Sequence, residues 1–295
     1  MALDSTTNAT ELTAEQVSTV LTKPVAAKSV FLSNVPEANI IDTAGPLRLP
    51  SAPGKTTPDW YGQNEQIVES DPSFDEFTLL PSTMESVKVL TRFSNELARQ
   101  SVVALDAALR ARLVKDVADK IDAQLLSAGG DGVARPRGLF GYPGHTTVAV
   151  GGALTLDHLI RAEGALLDSV DSLDNLAWVM RGREFTTLRL AKDGAQRYQI
   201  QPDPTRQGAF TLLGHRVILT ADTPDTTGGT PTARVGLVDF SKVYVARDVA
   251  PSVKILDQTF GDFDQQAIRV VARYDAGSPD PAKALVELTG ITIPA

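Results

Sequence analysis

Ser94 to Ser127 reads SNELARQSVVALDAALRARLVKDVADKIDAQLLS. No glycine or proline interrupts the chain until Gly129-Gly130, so the stretch predicts one long helix. Ser94 suits an N-cap, and Glu96 places a negative charge in the first turn. At 1.5 Å per residue the rod is roughly 50 Å long. Its apolar residues, Leu97, Leu105, Leu109, Leu113, Val117, Ile121 and Leu125, fall mostly four apart. A step of four drifts about 40° around a helix, so this stripe winds and predicts different partners at the two ends.

Downstream, Gly129-Gly130-Asp131-Gly132 reads as a helix stop followed by a turn. The chain then alternates. Helices are expected at 156–170 and 183–190, with a buried strand at 176–180. Further strands are expected near 197–200, 210–213, 217–219, 235–238 and 243–246, and a closing pair at 265–274 and 283–289. Upstream, residues 1–45 are polar, and Thr13-x-x-Gln16 offers a capping box for a short helix over 14–22. This segment buries little by itself and reads either as disordered or as an arm laid on something else. Residues 46–80 are rich in proline, and Ser70-Asp71-Pro72-Ser73 separates strand-like pieces at 60–68 and 74–80, which suggests a long hairpin. Trp60, Tyr61, Phe74 and Phe77 are its large apolar groups. An isolated hairpin is only marginally stable, so these four are the candidate assembly contacts. The class is α+β, with a spine helix, sheets and two extended appendages.

A search for chemistry leaves little. There are no cysteines, which excludes disulfides, thiolate metal sites and a cysteine nucleophile. His145, His158 and His215 lack metal-site spacing and read as isolated loop or surface residues. No GxSxG elbow and no P-loop occurs. Catalytic, metal and cofactor-binding residues are therefore assigned as none. No run of 18 apolar residues occurs, so no membrane-spanning helix is expected. The net charge of −8 argues against gripping nucleic acid by bulk positive charge.

Five groups of residues carry a family resemblance. They are Phe93-Ser94-Asn95-Glu96-Leu97; Gly130-Asp131-Gly132 with Pro136-Arg137-Gly138-Leu139; Trp178-Val179-Met180 with Leu188-Arg189, Lys192-Asp193 and Tyr198; Leu212-Leu213-Gly214 with Val217; and Ala272-Arg273-Tyr274-Asp275 with Ala284-Leu285-Val286-Glu287-Leu288. In this order and over residues 46–291, the chain resembles tailed-phage major capsid proteins of the Hong Kong 97 fold. Val238-Asp239 departs from the family's Gly-Asp at that place. The resemblance implies an N-arm (1–45), an E-loop laid over a neighbouring subunit (46–87), a P-domain holding the spine helix (88–150 and 245–280) and an A-domain (151–244 and 281–295).

It further implies a structural protein, not an enzyme. The subunit would assemble with itself in pentamers and hexamers into an icosahedral head that encloses double-stranded DNA without sequence-specific binding. Assembly would occur in the host cytoplasm, with scaffolding, portal, protease or cement proteins as candidate partners. An acidic subunit fits, because a basic interior would grip the genome. The 45 residues before the E-loop are too short for the family's fused scaffolding segment, so a scaffold would come from another protein or from the arm. Some members join an E-loop lysine to a P-domain asparagine. Here residues 56–87 hold no lysine, and no asparagine follows Asn175, so no such cross-link is expected. The alternative within the fold is an encapsulin-type nanocompartment that binds cargo proteins.

Overall fold

The computed structural model describes residues 25, 28–51, 59–64, 66, 75–94, 105–167, 175–200, 210–226, 230–248, 252–256, 259 and 261–293. The spine, α1, is described over Leu105–Leu125. Leu113, Val117, Ile121 and Leu125 are buried, and so is a second row, Val114, Ala118, Asp122 and Leu126. The second row supplies the missing steps of three. From Leu113 to Leu126 the helix therefore buries one face in one core; the side chains of Leu105 and Leu109, at the other end of the stripe, lie outside the described residues. Gly130 ends the run at φ +94°, and a Cβ there would sit 2.1 Å from the Pro136 carbonyl oxygen, so only glycine fits. Asp131 organises the turn that follows by accepting from the backbone N–H groups of Val133, Ala134 and Arg135 at 2.9–3.0 Å.

Ser94 is the last residue of a strand, Val87–Ser94, paired with Gln265, and the cap expected of it involves residues 95–104, which lie outside the described residues. In that strand Val87, Val89 and Phe93 pack on the core, while Lys88, Leu90 and Arg92 are exposed. The period of two was hidden because Leu90 stands in the outward row. Residues 95–104, including Leu97, lie outside the described residues.

In chain order the strands are β1 Ile40–Thr43, β2 Leu47–Ser51, β3 Asp75–Leu79, β4 Val87–Ser94, β5 Thr146–Gly152, β6 Leu176–Met180, β7 Thr211–Leu212, β8 His215–Leu219, β9 Thr232–Asp239, β10 Tyr244–Asp248, β11 Ser252–Leu256, β12 Gln265–Ala272, β13 Tyr274–Gly277 and β14 Leu285–Thr292. Among the described residues the helices named after α1 are α2 (Leu156–Leu167), α3 (Gly182–Leu190) and α4 (Pro281–Ala284). The strands form sheets β1-β10-β13, β11-β12-β4, β5-β14-β9-β6-β8-β7 and β2-β3.

The six-stranded sheet separates two cores, which explains the fully buried run of β6. Leu176, Trp178 and Met180 join α2 and α3 in one core, with Leu159, Leu166, Phe185 and Leu188. Ala177 and Val179 face the other, with α1, Phe140, Phe240, Ile268 and Val270. The Trp178 indole N–H donates to the Leu212 carbonyl at 3.2 Å, so burial leaves it satisfied.

Several expectations change. The partner of β3 in the hairpin is Leu47–Ser51, not 60–68; residues 59–64 and 66 carry no strand, and the rest of 60–68 lies outside the described residues. Pro50 is tolerated because β2 is an edge strand. The piece at 197–200 makes one bridge, Lys192 to Tyr198, and no strand. His145 and His215 are not isolated. His145 Nε2 lies 2.7 Å from Glu287, which also accepts from Arg234 at 2.9 Å, and His215 Nε2 lies 3.3 Å from Glu163. The N-terminal helix over 14–22 lies outside the described residues.

Candidate assembly surface

The hairpin is fixed at its root by packing and by a buried carboxylate. Leu47 pairs with Leu79 and Leu49 with Phe77, so one face of the ribbon is apolar. That face meets Leu80, Met84, Tyr244 and Ala246. Burial of Leu79, Leu80 and Met84 contributes roughly 1.5–3 kcal/mol each. The Phe77 ring lies against Gly277 of β13: a Cβ there would come within 2.4 Å of the ring. Gly277 is thus the notch that admits Phe77. The opposite face of the ribbon carries the exposed Arg48–Glu76 pair at 3.3 Å.

Leu80 follows β3 in the left-handed region at φ 55°, a conformation that costs a branched residue energy. It is held there by Asp275. The Leu80 N–H donates to one carboxylate oxygen at 2.7 Å, and the Ala276 N–H to the other at 2.9 Å. Asp275 is 3% exposed. Burial pushes its pKa up to about 6, against the pull of these two N–H groups and of Arg273.

A second carboxylate fixes the segment before the hairpin. Asp122 of α1 is 3% exposed. It accepts from the Ser29 hydroxyl at 2.5 Å and from the N–H groups of Val30 and Phe31 at 2.6 and 3.0 Å. Burial raises its pKa, opposed by these bonds. Val25, Phe31, Leu32 and Val35 enter the main core, and Phe31 meets Phe240 edge-on at 6.0 Å. Then β1 runs parallel to β10, with Ile40 beside Val245. Arg247 grips Asp42 through two bonds of 2.5 and 2.7 Å. Val25 and residues 28–43 are therefore part of the body, contrary to the expectation that this stretch buries little. Their apolar residues find partners more than 80 positions away, which no local pattern reveals.

The four candidate contact residues separate. Trp60 is 98% exposed, Tyr61 is half-buried, Phe77 is half-buried in the root of its own chain, and Phe74 lies outside the described residues. Sequence reasoning missed Asp122 and Asp275. A charged residue between Ile121 and Leu125, in register with the buried rows, was the available signal for the first. For the second there was only its place in the quoted Ala272-Arg273-Tyr274-Asp275 group.

The phage capsid family matches residues 11–289, and the chain belongs to that family. It is a structural protein of the phage head shell, and the family match favours this over the nanocompartment reading. The capsid of a native GTA particle superposes with a TM-score of 0.74 at 18% identity, covering 89% of this chain and 90% of that one. The corresponding protein of Mycobacterium phage Adephagia gives 0.68 at 17% identity, covering 90% and 91%. That of Mycobacterium phage Bobi gives 0.64 at 16% identity, covering 89% and 91%. At these identities the likeness concerns the fold. A search of curated proteins gave no match.

Proposed function

We propose that the chain is the major capsid protein of a tailed phage, built on the Hong Kong 97 plan and assembling as pentamers and hexamers into an icosahedral head around double-stranded DNA. On this reading residues 1–45 are the N-arm and 46–87 the E-loop. Residues 88–150 and 245–280 form the P-domain around α1, and 151–244 with 281–295 form the A-domain. The observation that carries the reading is the contrast within the hairpin. Its root is locked by Asp275, Phe77 and Gly277, whereas Trp60 is bare at 98% exposure. A tryptophan left fully in water on a rigidly rooted projection is suited to burial against a neighbour, where aromatic anchors concentrate binding energy. Scaffolding, portal, protease or cement proteins would meet the shell during assembly in the host cytoplasm.

The test is the mass of the purified protein under assembly conditions, by analytical ultracentrifugation and electron microscopy. Closed particles in the megadalton range are expected. A chain that remains a monomer or small oligomer under all of them would refute the proposal.

A further inference from the structure

Tyr142-Pro143-Gly144-His145 has the composition of a type II turn, with proline at its second position and Gly144 at φ 81° at its third. The turn leads out of the main core, where Leu139, Phe140 and Tyr142 are buried. It leads into β5, an edge strand that pairs with β14 on one side. A side chain closes it. The Nδ1 of His145 lies 2.5 Å from the Tyr142 carbonyl oxygen, and the Nε2 lies 2.7 Å from a carboxylate oxygen of Glu287. The other Glu287 oxygen accepts from Arg234 at 2.9 Å. The side chain of Glu287 is 3% exposed and that of His145 13%.

These distances count protons. A carbonyl oxygen only accepts a hydrogen bond, and so does an ionised carboxylate. Both ring nitrogens therefore need a hydrogen, which makes the ring an imidazolium. Arg234 keeps Glu287 ionised, so the second proton sits on the ring and not on the carboxylate. The groups that act on His145 are Glu287 of β14, Arg234 of β9 and the Tyr142 carbonyl of its own turn. The hydrogen bond to Glu287 is the largest influence and raises the histidine pKa, while burial and Arg234 oppose it. Thr146 and Thr147 at the start of β5, Val286 beside Glu287 and Gly236 opposite it carry no charge.

We propose that this turn is a proton-operated clasp on the edge of the six-stranded sheet, closed while His145 is doubly protonated and opened when the ring loses one proton. The Glu287 carboxylate is the stronger acceptor, so a neutral ring keeps its hydrogen on Nε2. Nδ1 then presents a lone pair to the Tyr142 carbonyl oxygen at 2.5 Å, and two acceptors at that distance repel. The turn must widen, and the first residues of β5, paired on one side, lose their support. The raised pKa has the matching sign. Closure is complete below the ordinary histidine value near 6.5 and is lost as pH rises through the folded value. Acid tightens this edge and alkali loosens it. The clasp belongs to the single subunit, so its test needs no particle.

Nitrogen-15 NMR of the unassembled chain reads the ring directly, with His145→Gln assigning its signals among three histidines. At pH 6.5, where an ordinary histidine is about half charged, His145 is expected to carry hydrogen on both nitrogens in most molecules. At higher pH the Nε2–H form should replace it. Hydrogen exchange, corrected for its intrinsic pH dependence, should show residues 142–150 losing protection about tenfold over the same titration. His145→Gln should abolish that loss. The two charged neighbours should move its midpoint in opposite directions, Glu287→Gln to lower pH and Arg234→Gln to higher pH. A packing role alone would move neither.

A ring half or more neutral at pH 6.5 would overturn the proposal. So would protection of residues 142–150 that does not follow the ring's titration, or a midpoint that stays in place in whichever of the two variants folds.

Discussion

Gly277→Ala tests whether the hairpin is locked by shape at its root. Gly277 does not use positive φ, so alanine is allowed by the backbone. The obstacle is steric. The new methyl would lie 2.4 Å from the Phe77 ring tip, 3.0 Å from the next ring carbon and 3.2 Å from a Leu79 methyl. Carbon contacts are comfortable at about 3.5–4.0 Å, so the ring must shift by about an ångström or more. Overpacking of this kind costs about 1–3 kcal/mol. Alanine is otherwise better than glycine inside a strand by about 0.5–1 kcal/mol. The expected net loss is about 1–2 kcal/mol with Phe77 present.

With Phe77→Ala the obstacle is gone, and Gly277→Ala should become neutral or stabilising by up to about 1 kcal/mol. The two changes should therefore couple by about 2 kcal/mol, measured by urea unfolding of the unassembled chain across the four variants. Equal effects of Gly277→Ala in both backgrounds would refute the lock, as would a stabilised single variant.

Further expectations concern the surface, the N-terminal root, titration and covalent state. Trp60→Ala should leave subunit stability within about 0.5 kcal/mol, because the side chain touches almost nothing, yet reduce particle yield or heat resistance; particles of normal yield and melting temperature would contradict this. Asp122→Ala strands the donors of Ser29, Val30 and Phe31. It should cost about 2–4 kcal/mol and speed limited proteolysis around residues 25–35; an unchanged cleavage rate there would count against it. The His145 pKa is raised, first by its hydrogen bond to Glu287, while burial and Arg234 oppose. A raised folded pKa means stability that is full below the unfolded value near 6.5 and lost as pH rises through the folded one. His145→Gln should flatten that decline in a series of melts from pH 6 to 9, and an identical slope would exclude His145 as its source. Finally, particles boiled in detergent should run as a band near 31 kDa, since residues 56–87 offer no lysine for a cross-link; a covalent ladder would show otherwise.

The legible parts of the fold are those whose signal is local. The fully apolar run of β6, the glycine stop after α1 and the strands β9, β12 and β14 follow from period and punctuation. Segments whose partners are remote were not legible. The stretch around Phe31, VAAKSVFLSNV over 25–35, is rich in apolar residues, but they follow no single period because they serve irregular backbone. β4 was hidden by Leu90, whose exposure breaks the alternation. The strand β3 was readable between its turn signals, but not its pairing, because Pro46 and Pro50 mask β2. Nor did the sequence distinguish Phe77, which anchors the root, from Trp60, which stays bare. That difference is made by a glycine 200 positions away.

The sheet β1-β10-β13 has a mechanical consequence. The N-terminal segment enters it at one edge through β1, and the hairpin is fastened at the other edge through Leu80 and Phe77 on β13. The two attachment lines are only two strand spacings apart, roughly 10 Å. A neighbour that pulls on the chain before Val25 meets the Asp122 bonds and the Phe31 packing first, and load that passes them runs along the axis of β1. The Ile40–Thr43 ladder and the Asp42–Arg247 pair then carry the load together, in shear, and do not peel one bond at a time. Force arriving at one attachment crosses a single stiff plate to the other, so subunits hooked together by these segments would share tension around a closed surface instead of concentrating it at one joint.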